Sequence, residues 1–180
     1  MVEFALIFPI FFVLLLAVIE FAFALNALVS IDFATRDAAL AAAEAGNTDD
    51  ADCSILRALD GSMTAPANNS RVTEVRIFKA DVNGGALGPV NIYDRNGVTS
   101  CPLEDGTPAT LAYRLLSGTY PESSRCNELE GCKVQPTVDT IGVQISYGYG
   151  WVTPLHTFVP SMGPGYSMVK SNAMRMEPIL

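Results

Sequence analysis

FALIFPIFFVLLLAVIEFAFAL, residues 4–25, is an apolar run interrupted by a single carboxylate. As a helix, this run is just long enough to cross a hydrocarbon core of about 30 Å. A secretory signal begins with basic residues and ends at a small-residue cleavage site. This chain has no Lys or Arg before Arg36, and the apolar run continues without a break into further helix. We therefore expect a retained membrane helix rather than a cleaved signal.

The residues that follow, NALVSIDFATRDAALAAAEA (26–45), extend the helix, because they contain no Pro or Gly and are rich in Ala. Polar and apolar side chains recur on separate faces, namely Ser30, Asp37 and Glu44 against Val29, Phe33 and Leu40. This pattern is typical of an amphipathic helix. Gly46 is a helix stop signal. The sequence thus predicts one helix over residues 1–46, with an apolar half (1–25) and an amphipathic half (26–45).

Three residues depart from the apolar pattern of this helix. Glu3 either reaches water at the membrane surface or pairs with another chain, since an unpaired carboxylate in an apolar setting costs several kcal/mol. Pro9 removes a backbone hydrogen bond and favours a kink or local melting. Glu20 lies deep in the run, so we expect it to pair across helices or to become neutral. Contact between Glu20 and a partner chain is the reading we favour.

Residues 47–180 are predicted to form one globular domain. Alternating apolar side chains predict strands over residues 71–81 and 137–151, and the second has its apolar side chains on one face from Ile141 to Trp151. Further candidates are a helix over residues 48–59 with Thr48 as its N-cap, strands over 90–93 and 166–176, and a helical turn over 110–116.

These elements place the chain in the α+β class, as a long helix followed by a small antiparallel sheet. The apolar face of the sheet must be covered, and residues 26–45 are the only long surface that can cover it. We therefore expect the amphipathic half of the helix to pack on the sheet.

Four cysteines lie after the apolar run: Cys53, Cys101, Cys126 and Cys132. None forms a CxxC pair, which argues against a zinc site. Disulfides persist in oxidising compartments, and Cys126 and Cys132 are close enough to close a small loop. That leaves Cys53 to pair with Cys101, and the alternative is four buried free thiols. Disulfides would also staple the irregular loops of the globular domain.

The formal net charge of −8 disfavours nucleic acid, because an acidic surface repels phosphates. The only histidine, His156, lies in a proline-rich loop, where a solvated role is far commoner than a catalytic one. No phosphate-binding loop is present, and the segment Asp94-Arg95-Asn96-Gly97 lacks the terminal acid of a calcium loop. We expect no catalytic residue, no metal site and no cofactor, and hence a protein that is not an enzyme. Residues 147–151 could form a sugar-binding platform, although sheet core is the reading we favour.

The N-terminal region resembles the TadE/TadG-like proteins of tight-adherence (Tad) pili, a branch of the type IV pilin superfamily. The features that carry the resemblance are Val2-Glu3-Phe4-Ala5-Leu6 followed by Pro9, then Glu20-Phe21, and then Arg36-Asp37-Ala38-Ala39. Residues 173–177 also look like the last strand of that family. The resemblance implies a type IV pilin-like fold, with the long helix packed on the sheet.

The resemblance further implies a pilin that is held in the inner membrane and then assembled helically into an extracellular filament. In the superfamily a glutamate near the mature N-terminus pairs with the amine of a neighbouring subunit, and that role maps onto Glu3. The residues expected to act in assembly are therefore Glu3, Phe4, Pro9 and Glu20. The implied partners are copies of the same chain in a helical homopolymer, other pilins and the pilus assembly machinery.

Three functions remain open from the sequence. The chain is a structural subunit of the filament and supports surface adhesion, or a minor pilin that primes or tips a filament of a smaller pilin, or a membrane-anchored extracellular binding module. The first is the function we favour.

Overall fold

The computed structural model describes residues 2–65, 67–103, 105–126, 138–158 and 163–176, apart from the side chains of residues 2, 3 and 5. Its first element is α1 (Val2–Ala45), a helix of 44 residues and hence about 66 Å long at 1.5 Å per residue. The helix continues through Pro9, so the local melting that a proline can cause is absent there. Gly46 ends α1 in the left-handed conformation (φ 61°), which glycine adopts without steric cost.

The second helix, α2 (Ala51–Ser62), packs on the C-terminal half of α1. The prediction of Thr48 as its N-cap is wrong, because the hydroxyl of Thr48 donates to the carbonyl oxygen of Ala45. The first turn is capped from a distant loop instead. The carboxylate of Glu122 accepts hydrogen bonds from the backbone N–H groups of Asp50 (3.2 Å) and Asp52 (2.7 Å).

The globular domain contains one five-stranded antiparallel sheet. Its strands, in spatial order, are β5 (Arg114–Gly118), β2 (Ala86–Asp94), β1 (Val72–Ala80), β6 (Thr140–Gly150) and β7 (Gly165–Arg175). A second small sheet pairs β3 (Thr99–Ser100) with β4 (Thr110–Leu111). The short helix α3 (Leu155–Phe158) lies between β6 and β7 and contacts α1. The predicted helical turn over residues 110–116 is wrong, because β4 and the start of β5 occupy it.

The helices cover one face of the sheet, as the α+β prediction required. Along β6 the side chains of Ile141, Val143 and Ile145 point into the core, followed by Tyr147 and Tyr149. The helix contributes mainly small side chains to this core, namely Ala27, Ile31, Ala34, Ala38, Ala39 and Ala42. These let the backbone of α1 approach the sheet closely, and the result is an apolar helix packed on an antiparallel sheet, as in a pilin-like fold.

The face of α1 that packs on the sheet differs from the one that the apolar pattern suggested. Val29, Phe33 and Leu40 are exposed. The bulky stripe and the alanine stripe lie on opposite sides of the helix, and the alanine stripe faces the sheet. Hydrophobicity alone singled out the larger side chains, whereas close packing of a helix on a sheet selected the smaller ones.

Cys53 of α2 and Cys101 form a disulfide, with their Cα atoms 5.4 Å apart. The bond joins α2 to the segment that carries β3. The other expected pair includes Cys132, which lies outside the described residues.

Candidate assembly surface and helix anchor

The long helix carries an apolar stripe on the side that faces away from the sheet, and the exposed side chain of Arg36 interrupts it near the C-terminal end. Its members, all exposed, are Phe4, Ile7, Phe11, Leu14, Val18, Leu25, Val29, Phe33 and Leu40. They are spaced by three, four or seven residues, so they share one face of the helix. We call this set the apolar stripe. It does not stop at Leu25, where the membrane-length run ends, but continues along the half of the helix that carries the globular domain.

The apolar run belongs to a helix that is long and apolar enough to cross a membrane, judged by length and composition. Only 6% of its most apolar 18-residue segment is buried within the protein. The core helix of an ordinary globular protein would be mostly buried, so the exposed side chains of this helix need another apolar environment.

Of the predicted assembly residues, Phe4 and Pro9 lie on exposed parts of α1. The side chain of Glu3 lies outside those that the structure describes. Its proposed pairing with another chain therefore stays a prediction.

Glu20 is placed differently from the expectation. Its side chain is 2% exposed and is enclosed by the globular domain of its own chain. Oε1 accepts hydrogen bonds from the hydroxyl of Tyr149 (2.6 Å) and the backbone N–H of Val152 (3.0 Å), and Oε2 accepts one from the N–H of Thr153 (2.6 Å). We call this arrangement the Glu20 anchor. The expected contact with a partner chain is thus corrected, because the carboxylate is already satisfied within the chain.

Sequence reasoning missed the residues that receive Glu20. Tyr149 was expected in the sheet core, and its phenol does lie there, but its hydroxyl reaches across to a residue far away in the chain. No local spacing connects the two positions. The available signal was the lone carboxylate itself, since a buried charge needs hydrogen-bond donors wherever the fold can supply them.

A second buried polar cluster joins α2 to the sheet, and sequence reasoning missed it too. The guanidinium of Arg125 donates to the carboxylate of Asp52, which also accepts hydrogen bonds from the side chains of Tyr93 (2.7 Å) and Asn91 (2.8 Å). Arg125 lies over the ring of Tyr120, 4.9 Å from its centroid. Burial and the charge of Asp52 raise the pKa of Tyr93 well above that of a free phenol. We call this arrangement the Asp52 cluster.

The described residues contain no group of three or more His, Cys, Asp or Glu side chains placed to hold a metal ion. His156 is exposed at α3. The Asp52 cluster is sealed inside the domain, so its groups tie structural elements together rather than face a substrate.

Comparison with known proteins agrees with this architecture at the N-terminus. The family model described as TadE-like protein matches residues 1–40, which supports a Tad pilus-associated family. The match covers α1 up to Leu40 and ends before the globular domain. No curated protein and no solved structure matches the chain.

Proposed function

We propose that this protein is a structural subunit of an extracellular Tad-type filament, built by packing the apolar stripes of many copies against one another. Before assembly, α1 holds the chain in the inner membrane. The pilus machinery and other pilins are the remaining partners, and the role is structural rather than enzymatic. Exposed on the filament, the globular domains would support surface adhesion.

The observation that carries this proposal is the continuation of the apolar stripe beyond the membrane-length run. A simple membrane anchor needs apolar side chains only as far as Leu25. Val29, Phe33 and Leu40 lie level with the globular domain, on the opposite side of the helix from the sheet. Such residues gain burial when neighbouring helices cover them, at about 25 cal/mol per Å² of apolar surface.

The geometry also suits repeated association. The sheet covers one side of α1 and leaves the other side open, so each chain can present its helix inward and its domain outward. Identical subunits that meet head-to-tail without ring closure form a helical fibre. The match to the TadE-like family over residues 1–40 supports the same conclusion, since it covers the part of the chain that would form the fibre core.

A pair of matched substitutions tests the proposal. Val29→Asp places a charge in the apolar stripe, and Val98→Asp places the same charge at another exposed valine of the domain; the two side chains are 52% and 70% exposed. We expect Val29→Asp to abolish filaments in electron micrographs of sheared cell-surface material, while Val98→Asp leaves their yield unchanged. Circular dichroism of both variants in detergent checks that the domain remains folded. Normal filaments from Val29→Asp would refute the packing of the stripe.

Antibody labelling of the same material separates the other two functions. Label along the whole fibre supports a structural subunit. Label only at one end supports a minor pilin, and absence of the protein from fibres together with glycan binding by the detergent-solubilised monomer supports a binding module.

A further inference from the structure

The loop between β6 and β7 touches α1 inside the apolar run. We call residues 151–158 the base loop; they end with α3, and their backbone N–H groups at Val152 and Thr153 donate to Glu20. Leu16 and Leu155 are both buried, where α3 contacts α1. The globular domain therefore reaches past Leu25 and down along the part of the helix that is composed for lipid.

The opposite side of α1 shows where the lipid would lie. At the same height as the base loop, Val18, Phe21 and Leu25 are exposed and apolar. Leu25 lies about 7.5 Å beyond Glu20 along the helix axis, at 1.5 Å per residue. The first exposed polar side chain after the run is Asn26. A membrane that covers the helix as far as Leu25 must also surround the base loop, because the loop lies at the level of Glu20.

The composition of the loop fits such a position. Residues 140–169 contain no Asp, Glu, Lys or Arg, and this is the longest stretch without a formal charge in the sequence. An exposed loop in an acidic protein would be expected to carry charges. Instead, the large apolar side chains Val152 (51%) and Phe158 (56%) are exposed in the loop, together with the imidazole of His156.

Aromatic side chains accompany this apolar surface. Trp151 packs against Tyr149 and Tyr166, with ring centroids 6.2 and 5.7 Å away. Its indole N–H donates to the carbonyl oxygen of Gly163 (2.8 Å). Trp and Tyr are enriched where a membrane protein meets the headgroup region, since one part of each side chain is apolar and another part is polar.

Backbone N–H groups of the base loop also have internal hydrogen-bond partners, as an environment without water requires. Unsatisfied backbone groups are costly in lipid, so loops at membrane depth need internal partners. Glu20 accepts from Val152 and Thr153, and the N–H of Thr157 donates to the carbonyl oxygen of Pro154 (3.0 Å). The position of Glu20 in the apolar run is thus explained, because its carboxylate accepts hydrogen bonds from backbone N–H groups where the loop meets the helix.

We propose that the base loop, together with Tyr166, is a membrane-docking surface that sinks into the headgroup and acyl boundary of the bilayer while the chain awaits assembly. The inference rests on the membrane-held stage of the proposed function. The bilayer contacts the chain at the base loop as well as at the helix. These two contacts hold the globular domain against the membrane surface. Extraction into a filament would then have to release both contacts.

The single tryptophan of the chain, Trp151, is a natural probe for this contact. The full chain is reconstituted at low density into phosphatidylcholine and phosphatidylglycerol vesicles. The lipids carry bromine near the headgroup end of the acyl chain, near the methyl end, or not at all. We expect the emission of Trp151 to be quenched most by bromine near the headgroup, less by bromine near the methyl end, and its exposure to aqueous acrylamide to fall on reconstitution from detergent.

Matched variants show whether the loop itself makes the contact. Val152→Asp puts a charge on the docking surface, and Val98→Asp is the control. We expect Val152→Asp to lose most of the bromine quenching and to regain acrylamide exposure, whereas Val98→Asp behaves like the parent. Phe158→Asp is a second test at the other end of the loop, should Val152→Asp prevent folding.

Flotation of the vesicles separates the two hypotheses. If the chain floats with the vesicles but Trp151 is not quenched, or if both loop variants are quenched like the parent, the docking surface is refuted and the membrane-held stage stands. If the chain does not float with the vesicles, the membrane-held stage fails and the docking surface fails with it. If Trp151 is protected from acrylamide only when chains are crowded enough to associate, and without bromine quenching, the loop contacts a second copy and the proposal is overturned.

Discussion

Two buried carboxylates join the helices to the sheet, and they are compensated in opposite ways. Glu20 accepts hydrogen bonds from neutral donors only, a phenol and two backbone N–H groups. Asp52 is paired with the cation Arg125 and also accepts from Tyr93 and Asn91. The first lies within the apolar run, and the second lies at the far end of the domain.

The difference follows from the surroundings of each group. The segment that receives Glu20 supplies no cation of its own, since residues 140–169 carry no formal charge, and the guanidinium of Arg71 donates to the carbonyl oxygen of Gly150 (3.1 Å). Bringing a second ion into that apolar setting would add a large desolvation penalty. Neutral dipoles stabilise the carboxylate of Glu20 without that desolvation penalty. The Asp52 cluster lies in a domain whose surface meets water, where an ion pair can be assembled during folding from separate elements.

The largest effect is expected when the cation of the Asp52 cluster is removed. Arg125→Met leaves Asp52 buried without its counter-charge, and the expected loss of unfolding free energy is about 3–5 kcal/mol. Denaturant titration of the full chain in detergent measures it. The double variant Asp52→Leu/Arg125→Met should recover much of the loss, because it removes both charges. A loss below about 1 kcal/mol for Arg125→Met would show that Asp52 does not depend on the ion pair.

Removing the carboxylate of Glu20 should lower the free energy of unfolding by a smaller amount. Glu20→Ala leaves three donors without their acceptor, but water or lipid headgroups can reach some of them, and we expect a loss of about 2 kcal/mol. The change should be local, since all three donors come from residues 149–153. Hydrogen exchange at Val152 and Thr153 is expected to accelerate while the amides of β1 keep their protection.

Glu20→Gln is the control for this prediction, because its amide keeps one acceptor oxygen. Its effect on exchange at Val152 and Thr153 should be smaller than that of the alanine variant. Unchanged protection of these amides in Glu20→Ala would show that the anchor does not hold the base loop.

The contrast also shows which features the sequence could predict. The long helix, the strand β6 and the packing of residues 26–45 on the sheet follow from local periodicity, and they are present in the structure. The choice of helix face did not follow, because α1 has both a bulky and a small apolar stripe. Close approach to the sheet, which sequence periodicity does not report, decided between them.

The two carboxylate sites were beyond local reasoning for a different reason. Glu20 and Tyr149 are separated by 129 residues, and Asp52 and Arg125 by 73. Their partners are set by the register of the strands and the paths of loops. The sequence marked Glu20 as unusual, but it left open whether its partner lay in the same chain or in another.

A smaller effect on stability is expected at the Asp52 cluster when the pH rises. The folded-state pKa of Tyr93 is raised by burial and by Asp52, while a phenol in the unfolded chain titrates near pH 10. As the pH rises past this value, the phenol of Tyr93 loses its proton in the unfolded chain before it does so in the folded chain. The stability that the buried, protonated phenol contributes is therefore fully present below about pH 10 and is lost as the pH rises further. For each such tyrosine, the free energy of unfolding falls by at most about 1.4 kcal/mol per pH unit.

Denaturant titrations of the parent and of Tyr93→Phe between neutral and alkaline pH measure this effect. The slope of stability against pH above about pH 10 should be shallower in the variant. The buried phenols of Tyr113 and Tyr120 have their pKa raised in the same direction, so part of the slope should remain. An identical slope in both proteins would show that the Tyr93 phenol is not kept protonated by the cluster.

The smallest effect is expected at an ion pair that resembles the Asp52 cluster only in chemistry. The guanidinium of Arg36 lies 3.0 Å from the carboxylate of Asp32 on α1, and the two side chains are 58% and 32% exposed to solvent. Exposed pairs of this spacing contribute about 0.3–0.5 kcal/mol, because water already solvates both ions. Arg36→Ala should therefore leave the unfolding free energy of the isolated chain almost unchanged. Arg36 lies beside Phe33 and Leu40 of the apolar stripe, so a loss of filaments in this variant without a loss of stability would locate the contact between chains rather than within one.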